Sequence, residues 1–393
     1  MEPCFAWVFT DPSTPLASHT LNLHGLALEP GELLVSLTHA CVCGSDLHTA
    51  SGKRHDPAAP LVLGHEGVGI VRATARADVS LGELVTWGVA APRCGGSCAP
   101  CTTFHLPQKC ARVLKYGHAP WGAAAVGPVR ATAEGLSGCF ATHILLRAGS
   151  DVVALREGAQ QGSPPLPPLP PRAVLASANC AGATAVAVLR AAVGALSARG
   201  GRCGRVLVWG GGLLGLLCAA EAAAVRGADT VCVVDVSEAR LALARQMGAT
   251  CVALVPAGGG AEEAARVVRE AAGGGDFDAA LEVCGSKAVV APCLSLLRPG
   301  GALVLAGMVH PDSGLEGITG EAIIRKCASI VGVHNYDGSD LKGAVELLRV
   351  LHERGAPWGA LFSPPVGLEE LPKAMQLAGS GAWARVVVEV QKS

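Results

Sequence analysis

Hydrophobic and polar positions change rhythm near residue 160. Before it, short apolar runs such as ELLVSLTHA (32–40), GVGIVRAT (67–74), ELVTWGV (83–89) and ATHILL (141–146) stand between turns marked by glycine and proline. Runs of that length with turn punctuation predict a mostly β domain. REGAQQGSPPLPPLPPR (156–172) follows, and its prolines fit only a surface loop or stiff linker, placed at 160–172. Beyond it strands and helices alternate. AVAVLRAAVGAL (185–196), LLGLLCAAEAAAVRG (213–227), SEARLALARQMG (237–248) and VAPCLSLLRPG (290–300) carry helical patterning. Between them RVLVWG (205–210), TVCVVDV (230–236), FDAALEVCG (277–285) and GALVLAGM (301–308) are β-rich. This alternation predicts an α/β domain with a doubly wound parallel sheet. The boundaries expected are 1–181 for the β-rich part, 182–332 for the α/β part and 333–393 for a return to mixed patterning, ending in the strand-like ARVVVEV (384–390).

The chain has 393 residues, a net charge of −1 and only 16% charged residues, so no basic stripe points to nucleic acid. The start, MEPCFAWVFTDPSTP, has an early acid and no basic segment, which argues against a signal peptide. No stretch reaches the roughly 18 uninterrupted apolar residues of a membrane span; the run from residue 180 is punctuated by arginine. The expectation is a soluble cytoplasmic protein. Its 16 cysteines are unevenly spread, which in a reducing compartment suggests a metal cluster plus single core cysteines rather than a disulfide scaffold.

Three constellations carry chemistry. Gly210, Gly212 and Gly215 form G-x-G-x-x-G after a strand and before a helix, and Asp235 ends the next strand twenty residues later. In that context the pattern is a dinucleotide cradle: a tight turn at Gly210, close backbone approach to the pyrophosphate at Gly212, close helix–strand packing at Gly215. Cys94, Cys98, Cys101 and Cys110 lie within seventeen residues of a Gly- and Pro-rich loop (92–112), a closed four-thiolate set suited to structural zinc. The third set is dispersed. ACVCGSDLHTA (40–50) holds Cys41 and Cys43, LVLGHEGVGIV (61–71) holds His65 and Glu66, and ASANCAGAT (176–184) holds Cys180. Cys43, His65 and Cys180 would make a three-ligand site with an open position, as catalytic zinc requires, although spacing alone does not join them.

CGSDLH, GHEGVG, the four-cysteine loop and the late G-x-G-x-x-G, in this order, resemble the medium-chain zinc-dependent alcohol dehydrogenases from about residue 30 to the C-terminus. Within that family LPQKC…KYGH and ANCAGAT resemble a subgroup proposed to act in phosphonate catabolism. The resemblance implies a GroES-like catalytic domain and a Rossmann domain. It implies an NAD-dependent oxidoreductase interconverting an alcohol and an aldehyde or ketone, with catalytic and structural zinc. Cys43, His65 and Cys180 would be catalytic zinc ligands, and Glu66 would ligate or exchange with water. Ser45 would accept the substrate proton, His48 would pass it on, and Asp46 would orient a ligating histidine. Thr184 would meet the nicotinamide and Arg385 the pyrophosphate. Relatives of this kind form homodimers or homotetramers. A polyol or amino-alcohol dehydrogenase and a non-catalytic zinc-binding relative are the alternatives.

Three features depart from that pattern. The gaps Cys94–Cys98 and Cys101–Cys110 are each one residue longer than usual, which makes Cys94 the least secure ligand. Gly44 stands where some members place a phosphate-binding arginine, and the prolines at 163–171 look like an insertion. Asp235 repels a 2′-phosphate and Glu238 adds to that, while Arg240 is expected to point elsewhere along its helix; NAD(H) over NADP(H) follows.

Overall fold

The computed structural model describes residues 3–121, 133–158, 166–310 and 313–391. The part of the Pro-rich segment at 160–165 therefore lies outside the described residues. The chain forms two compact units. The first comprises Met1–Cys180, Asp337–Arg349 and Trp358–Ser393, and the second comprises Ala181–Tyr336 and Val350–Pro357. The sequence patterning left Val350–Pro357 with the first unit, but it clusters with the second.

The first unit is built on a mixed, largely antiparallel sheet ordered Val366–Gly367, Val386–Glu389, Leu33–Val42, Glu66–Thr74, Leu84–Trp87, Val152–Ala154, with His143–Leu146 also pairing Leu33–Val42. The strand Leu33–Val42 is buried at every position, as expected of a central strand covered on both faces. Cys41 is one of its core residues; its thiol points to the Ala173 carbonyl, and burial pushes it well above its usual pKa. The Glu66–Thr74 strand pairs with Leu33–Val42 in a register that sets Cys41 opposite Glu66. Cys43 and Glu66 thereby stand at the same end of the sheet. A hairpin that hydrophobic patterning had not separated, Cys4–Val8 with Ala17–Leu21, packs through Ala6 and Val8 onto this core.

The second unit is a six-stranded parallel sheet ordered Cys251–Leu254, Thr230–Asp235, Arg205–Trp209, Phe277–Glu282, Leu297–Leu305, Ser329–Gly332. That is the 3-2-1-4-5-6 order of the doubly wound dinucleotide fold, with its switch point beside Arg205–Trp209. The strand Leu297–Leu305 begins earlier than the patterning suggested and includes LRPG, previously assigned to the preceding helix. One helical run, Arg172–Ser197, reaches a mean hydropathy of 1.6 over an 18-residue window, more than the uninterrupted-run criterion had indicated. More than half of that window is buried inside the protein, and Ala183, Ala185, Val186, Val188 and Leu189 are core residues. Burial accounts for its apolarity.

Candidate functional site

The dispersed set converges in the first unit. Cys43, His65, Glu66 and Cys180 present donor atoms that all lie within 4.8 Å of one another. Their positions follow from local structure. Cys43 precedes the helix Gly44–Ala50, and Asp46 sits in its first turn. The Asp46 carboxylate accepts the Cys43 N–H at 2.8 Å and the Gly64 N–H at 3.1 Å. One buried side chain thus ties the Cys43 turn to the loop that presents His65, much as a capping box closes a helix start. Asp46 Oδ1 also faces His65 Nδ1 at 3.6 Å, longer than a hydrogen bond, so orientation of the ring here is electrostatic. Cys180 comes from a single π-helical turn, Ala178–Gly182, and Asn179 of that turn accepts the Gly67 N–H at 3.4 Å.

The donor set fits zinc. The Cys43 and Cys180 sulfurs are 3.9 Å apart. Two thiolates each about 2.3 Å from a tetrahedral zinc stand about 3.8 Å apart. Protons are shared unevenly within the set. The Cys180 thiol hydrogen-bonded to Cys43, helped by Arg385 and His65 against the cost of burial, holds Cys43 well below its usual pKa. Cys180 is correspondingly raised. Burial opposes protonation of His65, but Asp46 and Cys43 together hold it well above its usual value. Burial pushes Glu66 up to about 7 despite Arg385. Ser45 Oγ lies 3.4 Å from His65 Nε2 at the edge of the cluster, and His48 sits half-buried in the same helix.

Arg385 has a protein partner that the resemblance does not name. Its guanidinium bonds Glu66 at 3.0 to 3.1 Å and approaches Cys43 Sγ at 3.7 Å. The strand Val386–Glu389 pairs with Leu33–Val42 with Val386 opposite Val42, which delivers Arg385 to the thiolate end of the sheet. Sequence gave no signal for this pair, because the two residues lie 319 positions apart. Reading the sequence also missed Arg54, Asp56 and His118, which gather beside His65; the rings of His65 and His118 stack at 5.8 Å.

The second cluster is local. Cys94, Cys98, Cys101 and Cys110 also lie within 4.8 Å of one another, with Cys98 and Cys110 sulfurs 3.9 Å apart. Cys94 joins the other three despite its longer gap. Gly95 and Gly96 both take left-handed φ (63° and 77°) and accommodate the extra residue. In the second long gap His105 does the same at φ 52°. The Cys98 backbone N–H, with neighbouring thiols, brings Cys94 down to about 6, whereas burial and the neighbouring thiols push Cys101 well up.

In the second unit the three glycines differ. A Cβ on Gly215 would lie 1.8 Å from the Gly210 carbonyl oxygen, and Gly210 itself has φ +119°. Nothing lies within 4 Å of a Cβ at Gly212, so this turn faces the open space a pyrophosphate needs. Asp235 accepts the Gly211 N–H at 2.6 Å and the Ser237 N–H at 2.9 Å. Arg240 does not point away: its Nη1 comes within 3.9 Å of Asp235. Ser237 caps this helix, so Arg240 is in the first turn, and helical side chains lean toward the N-terminus. Thr184 is a half-buried position in the otherwise buried first turn of the helix Ala183–Ser197.

Comparison with known proteins gives the same picture. Residues 29–157 match the alcohol dehydrogenase GroES-like domain and residues 215–349 the zinc-binding dehydrogenase domain. The chain is 27% identical to the 5-exo-hydroxycamphor dehydrogenase of Pseudomonas putida, over 92% of each chain. It is 27% identical to the D-altritol 5-dehydrogenase of Agrobacterium fabrum, over 88% of each. The structure of an alcohol dehydrogenase from Thermotoga maritima superposes with a TM-score of 0.82 at 25% identity, covering all of both chains. Two cysteine-containing clusters in a GroES-like unit, together with a dinucleotide cradle in the second unit and matches to both domain families, place this chain among the zinc-containing medium-chain alcohol dehydrogenases, oxidoreductases that use zinc and a nicotinamide cofactor.

Proposed function

We propose that the protein interconverts a small alcohol and its aldehyde or ketone, using NAD(H). The observation that supports this best is the convergence of Cys43, His65 and Cys180, with the Ser45 hydroxyl 3.4 Å from His65 Nε2. Zinc bound there would supply a Lewis acid that lowers the pKa of an alcohol hydroxyl. Ser45 accepts the hydroxyl proton and His48, in the same helix, passes it to solvent. Asp46 fixes the Cys43 turn and polarises His65. Glu66 stands by as a further oxygen donor, its charge balanced by Arg385, to which we also assign the cofactor phosphates. Gly210, Gly212 and Gly215 receive the dinucleotide, Thr184 its nicotinamide and Asp235 its adenosine ribose. A nicotinamide bound there would supply the hydride acceptor, and each turnover would then yield one carbonyl, one reduced cofactor and one proton.

A polyol substrate is the second reading, favoured by the altritol dehydrogenase relative. A homodimer or homotetramer is supported by the edge strand Ser329–Gly332, paired on one side only among the described residues, and by the exposed Ile324 near it. Light scattering of the purified protein checks that assembly. Following reduced-cofactor absorbance over a panel of alcohols, polyols and aldehydes tests the activity; a zinc-loaded protein that turns over none of them contradicts it.

A further inference from the structure

A group of charges beside the Cys43–His65–Cys180 set has no part in the mechanism above. Arg54 follows the helix Gly44–Ala50, and its own N–H donates to the His48 carbonyl at 3.0 Å, which folds the residue back along that helix. Its Nη2 reaches Thr49 Oγ1 at 2.9 Å, His118 Nε2 at 3.2 Å and the Ser45 carbonyl at 3.5 Å. His118 in turn stacks on His65 and has Nδ1 2.8 Å from Asp56. The guanidinium is therefore one imidazole removed from a zinc ligand and rests on the backbone of the proton acceptor.

Two points argue against a purely structural arginine. Every hydrogen bond that Arg54 makes through its side chain uses Nη2; Nε and Nη1 have no partner among the described residues. Arginine carries five donors, so most of its capacity remains for a ligand. The local charge is also unbalanced. Lys115 is close enough that Arg54, after burial and Lys109, helps depress its ammonium pKa. Lys115 makes no ion pair among the described residues, and Asp56 is the carboxylate set against both cations. A partly buried arginine with spare donors is a strong oxyanion ligand, because charge-assisted hydrogen bonds gain strength away from water.

We propose that Arg54, supported by Lys115, is an anion-recognition subsite of this active site, and that the substrate is a short hydroxy acid whose carboxylate or tetrahedral oxyanion sits on Arg54 while its hydroxyl lies at the Cys43–His65–Cys180 set. This rests on the dehydrogenase reading and names its substrate class. The subsite sorts substrates by charge and the zinc set performs the same oxidation on each.

The zinc-loaded enzyme is assayed with NAD and γ-hydroxybutyrate or γ-hydroxypropylphosphonate, against n-butanol and n-propanol. Both acids, or the one whose geometry fits, should exceed the matching alcohol in kcat/KM by about tenfold or more, the size of one charge-assisted contact. Arg54→Gln should lower the acid-to-alcohol ratio about tenfold, mainly through KM, and Arg54→Lys should restore part of it. A merely structural arginine would move acid and alcohol together. Calorimetric binding of butyrate and propylphosphonate, which lack the hydroxyl, gives a readout without turnover: the wild type should bind at least one of them, and Arg54→Gln should bind it at least about tenfold more weakly. If Arg54→Gln does not fold, Lys115→Ala should lower the same ratio by a smaller factor. Equal kcat/KM for acid and alcohol in the wild type overturns the proposal, as does anion binding that Arg54→Gln leaves unchanged. If no alcohol or acid turns over, the dehydrogenase reading fails, while the binding comparison still decides the subsite.

Discussion

The two cysteine-based clusters of the first unit each hold four donors within 4.8 Å, but they are assembled in opposite ways. The Cys94–Cys110 cluster is a single loop in which, of residues 93–112, only Cys94 and Cys110 are buried. Such a loop has little apolar surface to fold around, so metal binding must supply the folding energy. The Cys43–His65–Glu66–Cys180 cluster is the reverse. Its residues are set by strands, a helix start and a buried carboxylate that belong to the apolar core of the unit. Around it stand groups that can act on a ligand: Ser45, Arg385 and Arg54. Around the loop cluster stand mainly turns and exposed side chains. A site whose scaffold folds independently can leave a coordination position open, whereas a site that holds its own scaffold together must use all four positions. On this basis the dispersed cluster is assigned to chemistry and the local one to stability.

Exchanging one cysteine in each cluster is the strongest way to break that assignment. The wild type should hold two zinc ions per chain, one for each group. Cys43→Ser should remove one ion and essentially all turnover with the fold retained, as judged by elemental analysis, assay and circular dichroism. Cys101→Ser should remove the other ion and lower Tm by roughly 4 °C, the shift that a loss of about 3 kcal/mol produces in a chain of 393 residues. A Cys43→Ser protein that melts early, with a Cys101→Ser protein that does not, would reverse the two roles.

The groups around the dispersed cluster should show a graded response. Ser45→Ala should cut kcat by about 10²- to 10⁴-fold while zinc and cofactor still bind, the range for a lost proton acceptor. Undiminished turnover would take Ser45 out of the reaction. His48→Gln should cost about tenfold, since water partly replaces a terminal acceptor. In the second unit the expected effect falls on cofactor choice and not on turnover. Asp235→Ser should narrow the preference for NAD(H) over NADP(H) about tenfold by removing the charge that repels a 2′-phosphate, and Arg240 then becomes a ready partner for that phosphate. A wild type that favours NADP(H) would show that Arg240, not Asp235, governs the ribose site.

Legibility followed sequence distance. The glycine cradle, the parallel strand–helix alternation and the four-cysteine loop are local patterns: a turn that needs Gly215 against Gly210, or four thiols within one loop, is constrained by chain reach over a few residues. Hydrophobic patterning and local motif spacing therefore located them, and even the longer Cys94 gap was accommodated within the loop by Gly95 and Gly96. The dispersed cluster was decided by tertiary structure. Cys43 and Cys180 are 137 residues apart, and Cys43 and Arg385 are 342 apart. Nothing in either local sequence states that separation. Strand registers and the double use of Asp46 bring them together, and family resemblance, not spacing, had joined them beforehand. Arg54 and Arg240 show the same limit at shorter range. Each is only a few residues from a recognised motif, yet where a long flexible side chain settles depends on the charges and helix faces packed around it, which the order of residues along the chain does not specify.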